Sequence, residues 1–223
     1  CFVSLVFVFF VRYNKALREG KKGVGDLFSI LLAVHLGMNL MVMSANLLMV
    51  YLSIEMVSVG SYLMVGYLCK DARQSEAALK YALFGAACSA IMLYGMSLVY
   101  AFTGTLDLNA AALIAGLQAV PVFTSGLAII MILTGIAFKL ALVPFHFWSP
   151  DVYEGAPTPV TAFISTGPKI AAFALLIRFI SGFQALSLSD SMLSLSTILA
   201  VMGIGSMVAG NFAAIWQNNV KRM

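Results

Sequence analysis

Three charged side chains lie deep within stretches of sequence that hold almost only apolar residues: Glu55, Lys139 and Lys169. A lysine at the centre of a membrane helix costs about 2.5–3.5 kcal/mol to insert, and such residues usually face the interior of a helix bundle or a hydrated path. These residues are therefore candidates for carrying or steering protons. The alternatives are a structural carboxyl group at Glu55, hydrogen-bonded to a neighbouring helix, and a Lys139 side chain that snorkels to the membrane surface.

Two prolines stand close to these lysines in the sequence. Pro144 follows Lys139 closely, and Pro168 directly precedes Lys169. A proline inside a helix cannot donate a hydrogen bond to the carbonyl four residues earlier, so each one leaves an unpaired carbonyl near a lysine. A broken helix at membrane depth is tolerated where it is buried in protein or lines a water-filled cavity. We therefore predict helix breaks at both prolines and a hydrated cavity beside Lys139.

Lys80 and the 2 histidines are weaker candidates. Lys80 lies only a few residues into an apolar stretch, and snorkelling to the nearby surface is enough to explain its position. His146 follows Pro144, and because an unperturbed histidine titrates near pH 6.5, it could relay protons or simply cap a helix end. His35 lies within an apolar stretch, where we expect a hydrogen-bonded core histidine.

Chemistry that needs a bound cofactor or a metal has no signature in this sequence. Cys1, Cys69 and Cys88 share no metal-binding or disulfide spacing. The sequence has no phosphate-binding glycine loop, no zinc-type spacing of His and Cys, and no nucleophile elbow. We therefore expect no catalytic residue, no metal site, and no binding site for NADH, flavin or an iron–sulfur cluster in this chain.

The composition dictates which elements hold these residues. Of the 223 residues, 61% are hydrophobic and only 10% are charged, whereas a soluble domain is about 45–50% apolar and about 25% charged. This excludes a soluble globular domain, and it excludes a disordered chain, which would be polar and highly charged. The net charge of +4 comes from basic residues that lie mostly between apolar runs, which indicates membrane topology rather than binding to nucleic acid.

The apolar runs predict an all-α, polytopic bundle of transmembrane helices that forms a single domain over residues 1–223. A span needs roughly 20 apolar residues, so the long run 27–69 must be divided, and we place the break at Ser44–Asn46. The linker 103–120 is either a short surface helix or a plain loop. We expect the chain to be a fragment, open at both ends. The expected spans, of which the first is partial, are 1–11, 27–43, 47–68, 76–102, 121–148, 159–179 and 191–215.

The basic residues in the loops predict the orientation of the bundle. Alternating spans place the basic loop 12–26, the loop around Lys70 and residues 216–223 on one side, whereas the opposite loops carry only Arg178. Cytoplasmic loops carry an excess of Lys and Arg. We therefore predict a multi-pass protein, in the bacterial inner (plasma) membrane or in an organelle, with the loop 12–26 and residues 216–223 in the cytoplasm.

The sequence around the predicted helix break carries a recognisable motif. Residues 138–163 read FKLALVPFHFWSPDVYEGAPTPVTAF. This run resembles subunit N of the bacterial proton-pumping NADH–quinone oxidoreductase, respiratory complex I, and it is similar to the mitochondrial and chloroplast subunit 2. The related subunits L and M and the cation antiporter subunits tend to carry a histidine-bearing variant of segment 151–155. Further stretches that resemble subunit N are Glu55 with Ser61–Tyr62, Glu76–Tyr81 and Asn218–Met223.

The resemblance implies a fold and a role for each candidate residue. The family fold has two inverted five-helix bundles, each with one broken helix, and this chain resembles mainly the first. In the family, a glutamate and a lysine on neighbouring helices form a charge pair, which Glu55 and Lys139 match. Lys169 matches the lysine that passes the proton toward the middle of the subunit. Lys80 matches another family lysine, and His146 matches a histidine near the cytoplasmic opening.

The resemblance also implies the partners and cofactors of the whole complex. It predicts a non-redox membrane subunit that forms a proton half-channel and couples NADH oxidation and quinone reduction to proton pumping. NADH, FMN, iron–sulfur clusters and quinone would then be bound by other subunits. The expected partners are other membrane-arm subunits, including antiporter-like ones, and the lipid bilayer. The alternatives are a subunit of a related sodium–proton antiporter or membrane-bound hydrogenase, and a chain that only braces its neighbours.

Overall fold

The computed structural model describes residues 2–13, 24–67, 72–183 and 195–222, which are almost entirely helical. Within these ranges the helices, in chain order, are α1 (Phe2–Tyr13), α2 (Val24–Met43), α3 (Leu47–Val65), α4 (Ala72–Thr103), α5 (Ala111–Gln118), α6 (Val122–Leu140), α7 (Trp148–Gly155), α8 (Thr158–Phe183) and α9 (Leu195–Ile215). Six of them, α2, α3, α4, α6, α8 and α9, are long and apolar enough to cross a membrane. The predicted all-α transmembrane bundle is confirmed.

The hairpin between α2 and α3 lies where the sequence predicts a break. Asn46 begins α3 as its N-cap, because its side chain accepts a hydrogen bond of 2.9 Å from the Leu48 N–H. The N–H of Leu47 donates to the Leu106 carbonyl at 2.8 Å, and the N–H of Leu108 donates to Ala45 at 2.9 Å. The linker after α4 therefore pairs with the hairpin, and its later part forms α5, so the surface-helix alternative is the correct one.

The predicted break near Lys139–Pro144 is present, but the helix ends earlier than the predicted span 121–148. It ends at Leu140, and Ala141 adopts a left-handed conformation with φ 57°. The N–H of Leu142 then donates to the Ala137 carbonyl at 2.9 Å, a hydrogen bond that closes the end of the helix. Residues 141–147 are non-helical, because Pro144 cannot donate to a helical ladder.

The second predicted helix break, at Pro168, is not present in α8. Helix α8 runs without interruption from Thr158 to Phe183, with Pro168 inside it. Membrane helices tolerate an internal proline when neighbouring groups compensate for the missing hydrogen bond. The proline at position 168 therefore does not end the helix, and of the two predicted proline breaks only the one near Pro144 is present.

Close contact between α4 and α6 forms the centre of the bundle. A Cβ atom at Gly95 of α4 would lie 2.8 Å from the Ala128 carbonyl oxygen and 2.9 Å from the Ile132 nitrogen of α6. Small residues allow membrane helices to approach this closely. Every residue from Ile132 to Leu140 is buried, so the last part of α6 is surrounded by protein. By contrast, α9 has no buried residue.

The two ends of the bundle differ in charge. The start of α4, the whole of α7 and residues 219–222 meet at one end, which we call the basic end and define by Arg73, Lys80, Lys221 and Arg222. At the opposite end, the Arg178 guanidinium donates a hydrogen bond of 2.8 Å to the Val42 carbonyl. Of the described basic residues that the loops predict on one side of the membrane, Arg73, Lys221 and Arg222 lie together at the basic end. Lys70 and most of the predicted loop 12–26 lie outside the described residues.

Replacing Gly95 with alanine is expected to separate α4 from α6. The new methyl group would overlap backbone atoms of α6, and overpacking of this kind costs about 1–3 kcal/mol. We expect less folded protein in the membrane and earlier thermal unfolding after solubilisation, measured by fluorescence-detected size-exclusion chromatography over a temperature series.

Gly203→Ala is the matched control, since a Cβ atom there has no neighbour within 4 Å. Both substitutions place alanine inside a helix, where it is favoured over glycine by about 1 kcal/mol. The control should therefore be neutral or slightly stabilising. Equal stability of the two variants would contradict the close packing at Gly95.

Candidate functional site

Lys139 is enclosed by the bundle near the end of α6. Its side chain is almost completely buried, with a residue exposure of 2%. The ammonium donates a hydrogen bond of 3.1 Å to the Ser58 hydroxyl of α3 and lies 5.9 Å from the ring centroid of Tyr81 in α4. Ser58 is roughly 10 Å from the end of α3, at 1.5 Å per residue. This placement excludes the alternative in which Lys139 snorkels to the membrane surface.

Glu55 lies on the same helix as Ser58 and close to it. Its carboxylate accepts a hydrogen bond from the Ser89 hydroxyl of α4. Residues three apart on a helix share a face, so Glu55 and Ser58 point toward the same space between helices, and the carboxylate acts electrostatically on the Lys139 ammonium. The two charges are within electrostatic range but not in direct contact, because each is hydrogen-bonded to a serine instead.

Lys169 lies on the other side of α7. Its ammonium is 5.4 Å from the ring centroid of Tyr153. It lines a cavity of about 220 Å³ together with His146, Tyr153, Ser206 and Arg222, among others. The structure thus brings the predicted residues His146 and Lys169 into one cavity, and Lys139 is not part of its lining.

The polar atoms of this cavity include two that lack partners. The Nδ1 of His146 and the hydroxyl of Tyr153 are buried, and neither has a hydrogen-bond partner among the residues that the structure describes. Buried polar atoms are normally hydrogen-bonded to protein or to ordered water. The cavity that both residues line has room for several water molecules. His35, the other histidine, is half-buried within α2.

A row of three aromatic rings stands between Lys139 and Lys169. Tyr81 stacks on Trp148 with centroids 4.3 Å apart and an interplanar angle of 11°. Trp148 meets Tyr153 edge-on, with centroids 5.9 Å apart and an angle of 75°. The Nε1 of Trp148 donates to the Phe138 carbonyl at 3.2 Å, which attaches α7 to the end of α6. One end of the row contacts Lys139 and the other contacts Lys169.

The sequence analysis did not identify this aromatic row. Tyr81 directly follows Lys80, and Trp148 and Tyr153 belong to the run 138–163. Only the run itself marked them out, since aromatic residues are common throughout the chain. The contact between rings from α4 and α7 depends on the turn after Leu140, which the sequence does not specify.

Lys80 belongs to a cluster of ion pairs at the basic end. Its ammonium lies 2.7 Å from Glu76 and 2.7 Å from Asp151. Arg222 extends the cluster, at 2.9 Å from Asp151 and 3.2 Å from Glu154. These residues line an open cavity of about 390 Å³. The structure therefore places Lys80 in an ionic cluster that joins α4 to α7, apart from Glu55 and Lys139.

The last described residues are held against α7. The Lys221 ammonium donates to the carbonyls of Glu154 and Ala156, at 2.9 and 2.6 Å. Partial burial lowers the pKa of Lys221, an effect that the nearby Glu154 carboxylate opposes. Arg222 lines both the ionic cavity and the cavity of Lys169. No cluster of His, Cys, Asp and Glu able to hold a metal ion occurs in the described part of the chain.

Comparison with known proteins places this arrangement in a family context. The chain matches the family described as NADH:quinone oxidoreductase/Mrp antiporter, transmembrane, over residues 44–223. It is 46% identical over 209 residues to NADH-quinone oxidoreductase subunit N 2 of Chloroherpeton thalassium, covering 91% of this chain and 40% of that protein. It is 46% identical over 200 residues to NAD(P)H-quinone oxidoreductase subunit 2 of Prochlorococcus marinus, covering 90% of this chain and 37% of that protein.

Chains in two solved membrane complexes have a fold similar to that of this chain. A chain of respiratory complex I from Thermus thermophilus superimposes with a TM-score of 0.78 and 34% identity, over 99% of this chain and 45% of that one. A chain of the archaeal membrane-bound sulfane sulfur reductase superimposes with a TM-score of 0.77 and 26% identity, over 99% of this chain and 44% of that one. The chain therefore spans less than half the length of the proteins that it matches.

The substitution Asp151→Asn is expected to loosen the basic end. It keeps the shape of the side chain but removes the charge that joins Lys80 to Arg222. Partly exposed ion pairs contribute up to about 1 kcal/mol each. We expect trypsin to cleave after Arg222 several-fold faster in everted membrane vesicles, with little effect on the amount of protein in the membrane.

Glu76→Gln is the control for this experiment. Glu76 is more exposed and pairs with Lys80 along a single helix, where such pairs contribute only about 0.3–0.5 kcal/mol. Its cleavage rate should stay close to that of the wild type. A rate that increases equally in both variants would mean that Asp151 does not hold α7 and the last described residues together.

Proposed function

The chain belongs to the NADH:quinone oxidoreductase/Mrp antiporter membrane family, and we propose that it is part of subunit N of a proton-pumping NADH–quinone oxidoreductase, in which it forms a proton half-channel. The observation that carries the proposal is the buried Lys139. Its ammonium lies inside the bundle, beside the helix break, with Glu55 as the nearby opposite charge. A buried ionisable residue in this position is suited to bind and release a proton during transport.

The Glu55 carboxylate would control when Lys139 holds its proton. Burial disfavours the charged form of an amine, and a nearby negative charge favours it. Ser58 and Tyr81 supply the remaining stabilisation of the ammonium. If a neighbouring charge in the complex drew Glu55 away, the Lys139 ammonium would lose its nearby negative charge. Ser58 and Tyr81 alone would stabilise the ammonium too little, and Lys139 would release its proton.

Lys169 and His146 complete the proposed path. The proton released by Lys139 passes toward Lys169, and protons enter from the basic end past His146. Transport of this kind works against the membrane potential, which amounts to about 2.3 kcal/mol for one charge across 100 mV. The helix break and the cavity next to it supply the hydrated space that such a path needs.

The remaining chemistry belongs to other subunits in this proposal. NADH oxidation and quinone reduction, with FMN and iron–sulfur clusters, take place outside this chain, which contributes translocation and no redox step. Its partners are the other membrane-arm subunits, including antiporter-like ones. The membrane is the bacterial inner membrane, with loop 12–26 and residues 216–223 on the cytoplasmic side.

A second candidate is a subunit of a related cation antiporter or ion-translocating membrane complex. The family description includes Mrp antiporters, and the fold also matches the sulfane sulfur reductase. Measuring transport with and without sodium distinguishes the two. Dependence on sodium would favour the antiporter, and sodium-independent proton uptake driven by NADH would favour the oxidoreductase.

A chain that only braces its neighbours would keep full transport when Glu55, Lys139 and Lys169 are all made apolar.

Replacing Lys139 with methionine is expected to stop transport. Methionine fills a similar volume but cannot carry a proton. In inverted membrane vesicles that contain the assembled complex, we expect NADH-driven proton uptake to fall several-fold, and NADH oxidation to fall with it because the two are coupled. Native gel electrophoresis measures assembly, and Leu127→Met, on the exposed face of the same helix, is the control. Normal rates in the Lys139 variant would exclude an obligatory role for this lysine.

Replacing Glu55 with glutamine tests the electrostatic control of Lys139. Glutamine can still accept the hydrogen bond from Ser89 but lacks the negative charge. We expect proton uptake to fall while the complex still assembles. Ser89→Ala is the matched control, because it removes the hydrogen bond and keeps the charge, and it should pump better than Glu55→Gln. Full NADH-driven pumping in Glu55→Gln would rule out the charge pair.

A further inference from the structure

Tyr153 is fixed at the junction of the aromatic row and the Lys169 cavity. Its ring packs edge-on against Trp148 and lies under the Lys169 ammonium, 5.4 Å from it. Its backbone carbonyl accepts a hydrogen bond of 3.1 Å from the Thr161 hydroxyl of α8. These contacts hold the ring from three sides and determine where its hydroxyl points.

Tyr153 lines the cavity, and its hydroxyl is buried without a hydrogen-bond partner among the described residues. The same is true of the His146 Nδ1, within the described part of the chain. Both residues line the cavity of about 220 Å³ that also contains Lys169, and one water molecule occupies roughly 30 Å³ of liquid volume. The cavity that these three side chains line can therefore hold several water molecules.

The other rings of the row are not available for this purpose. Trp148 donates its only N–H to the Phe138 carbonyl, and neither Trp148 nor Tyr81 lines the cavity. Tyr153 is the member of the row that carries an O–H group and lines the cavity, together with Lys169 and Arg222.

We propose that Tyr153 is a proton-relay residue, which passes protons between the His146 side of the cavity and Lys169. This inference rests on the proposed function and adds a residue to its path. In the relay step, the phenol O–H bond breaks as its proton moves to the neutral Lys169 amine through a water molecule. A new O–H bond forms with a proton from a hydronium ion that has entered on the His146 side, which leaves a neutral water molecule behind. Tyrosine begins and ends the step neutral.

Concerted exchange is required because the tyrosinate anion is disfavoured here. Burial raises the pKa of the Tyr153 phenol well above its ordinary value. A buried phenol therefore does not accumulate charge, and it can only exchange one proton for another. The step needs no oxidant or reductant, since only O–H and N–H bonds change.

The test removes the hydroxyl and keeps the ring. Tyr153→Phe preserves the ring contacts with Trp148 and Lys169, and because the hydroxyl has no hydrogen-bond partner among the described residues, the fold should be unaffected. In inverted vesicles with the assembled complex, we expect NADH-driven proton uptake to fall several-fold. Tyr100→Phe, which removes a hydroxyl from an exposed position on α4, should pump like the wild type. Wild-type uptake in Tyr153→Phe would overturn the proposal.

Two further variants separate a relay from a residue that only positions water. Histidine exchanges protons, whereas glutamine forms hydrogen bonds but does not titrate. We expect Tyr153→His to retain more proton uptake than Tyr153→Gln, with rates normalised to the amount of assembled complex. Equal uptake in the two variants would overturn the relay, since positioning of water needs only hydrogen bonds.

Lys169→Met distinguishes failure of this inference from failure of the proposed function. If Lys169→Met and Lys139→Met stop proton uptake and Tyr153→Phe does not, the half-channel stands and the role of Tyr153 is refuted. If neither lysine variant changes uptake, the proposed function is refuted, and the relay fails with it.

Discussion

The positive charge of Lys139 inside an apolar bundle constrains every element around it. An uncompensated charge in such a medium is too costly to persist, so it must be paired or hydrogen-bonded. Helix α3 provides Ser58 and the nearby Glu55, and α4 provides the ring of Tyr81. These helices reach the ammonium because α4 and α6 approach closely at Gly95. Packing and charge compensation are therefore parts of one requirement, and neither can be changed without the other.

The end of α6 divides the neighbourhood of this charge into two environments. On one side, Lys139 is surrounded by side chains from three helices. On the other side, Lys169 faces a cavity with buried polar atoms that have no protein partner among the described residues. The row from Tyr81 to Tyr153 separates the two and contacts a lysine at each end. The two lysines therefore lie in different surroundings, one enclosed by protein and the other at a cavity.

The sequence could predict what depends on local chemistry, and it missed what depends on tertiary contact. The break at Ser44–Asn46 followed from span length, and the break before Pro144 followed from the missing N–H of proline. The left-handed turn at Ala141, which ends α6 early, has no signal in an alanine. The ion pair of Lys80 with Asp151 could not be predicted either, because Asp151 reaches Lys80 only after the chain has turned back at that point. A proline-based break at Pro168 was wrong, since the surrounding helices keep α8 intact.

Arg222 has a consequence for how the two cavities behave together. Its guanidinium pairs with Asp151 and Glu154 in one cavity and also lines the other, which holds Lys169. A single charge shared by two compartments links their occupancy. If a proton bound near Lys169 weakens the hold of the acidic residues on Arg222, then disturbing those residues must alter proton binding near Lys169 by the same free energy, because thermodynamic coupling is reciprocal. Under that condition, Arg222 couples the occupancy of one cavity to that of the other.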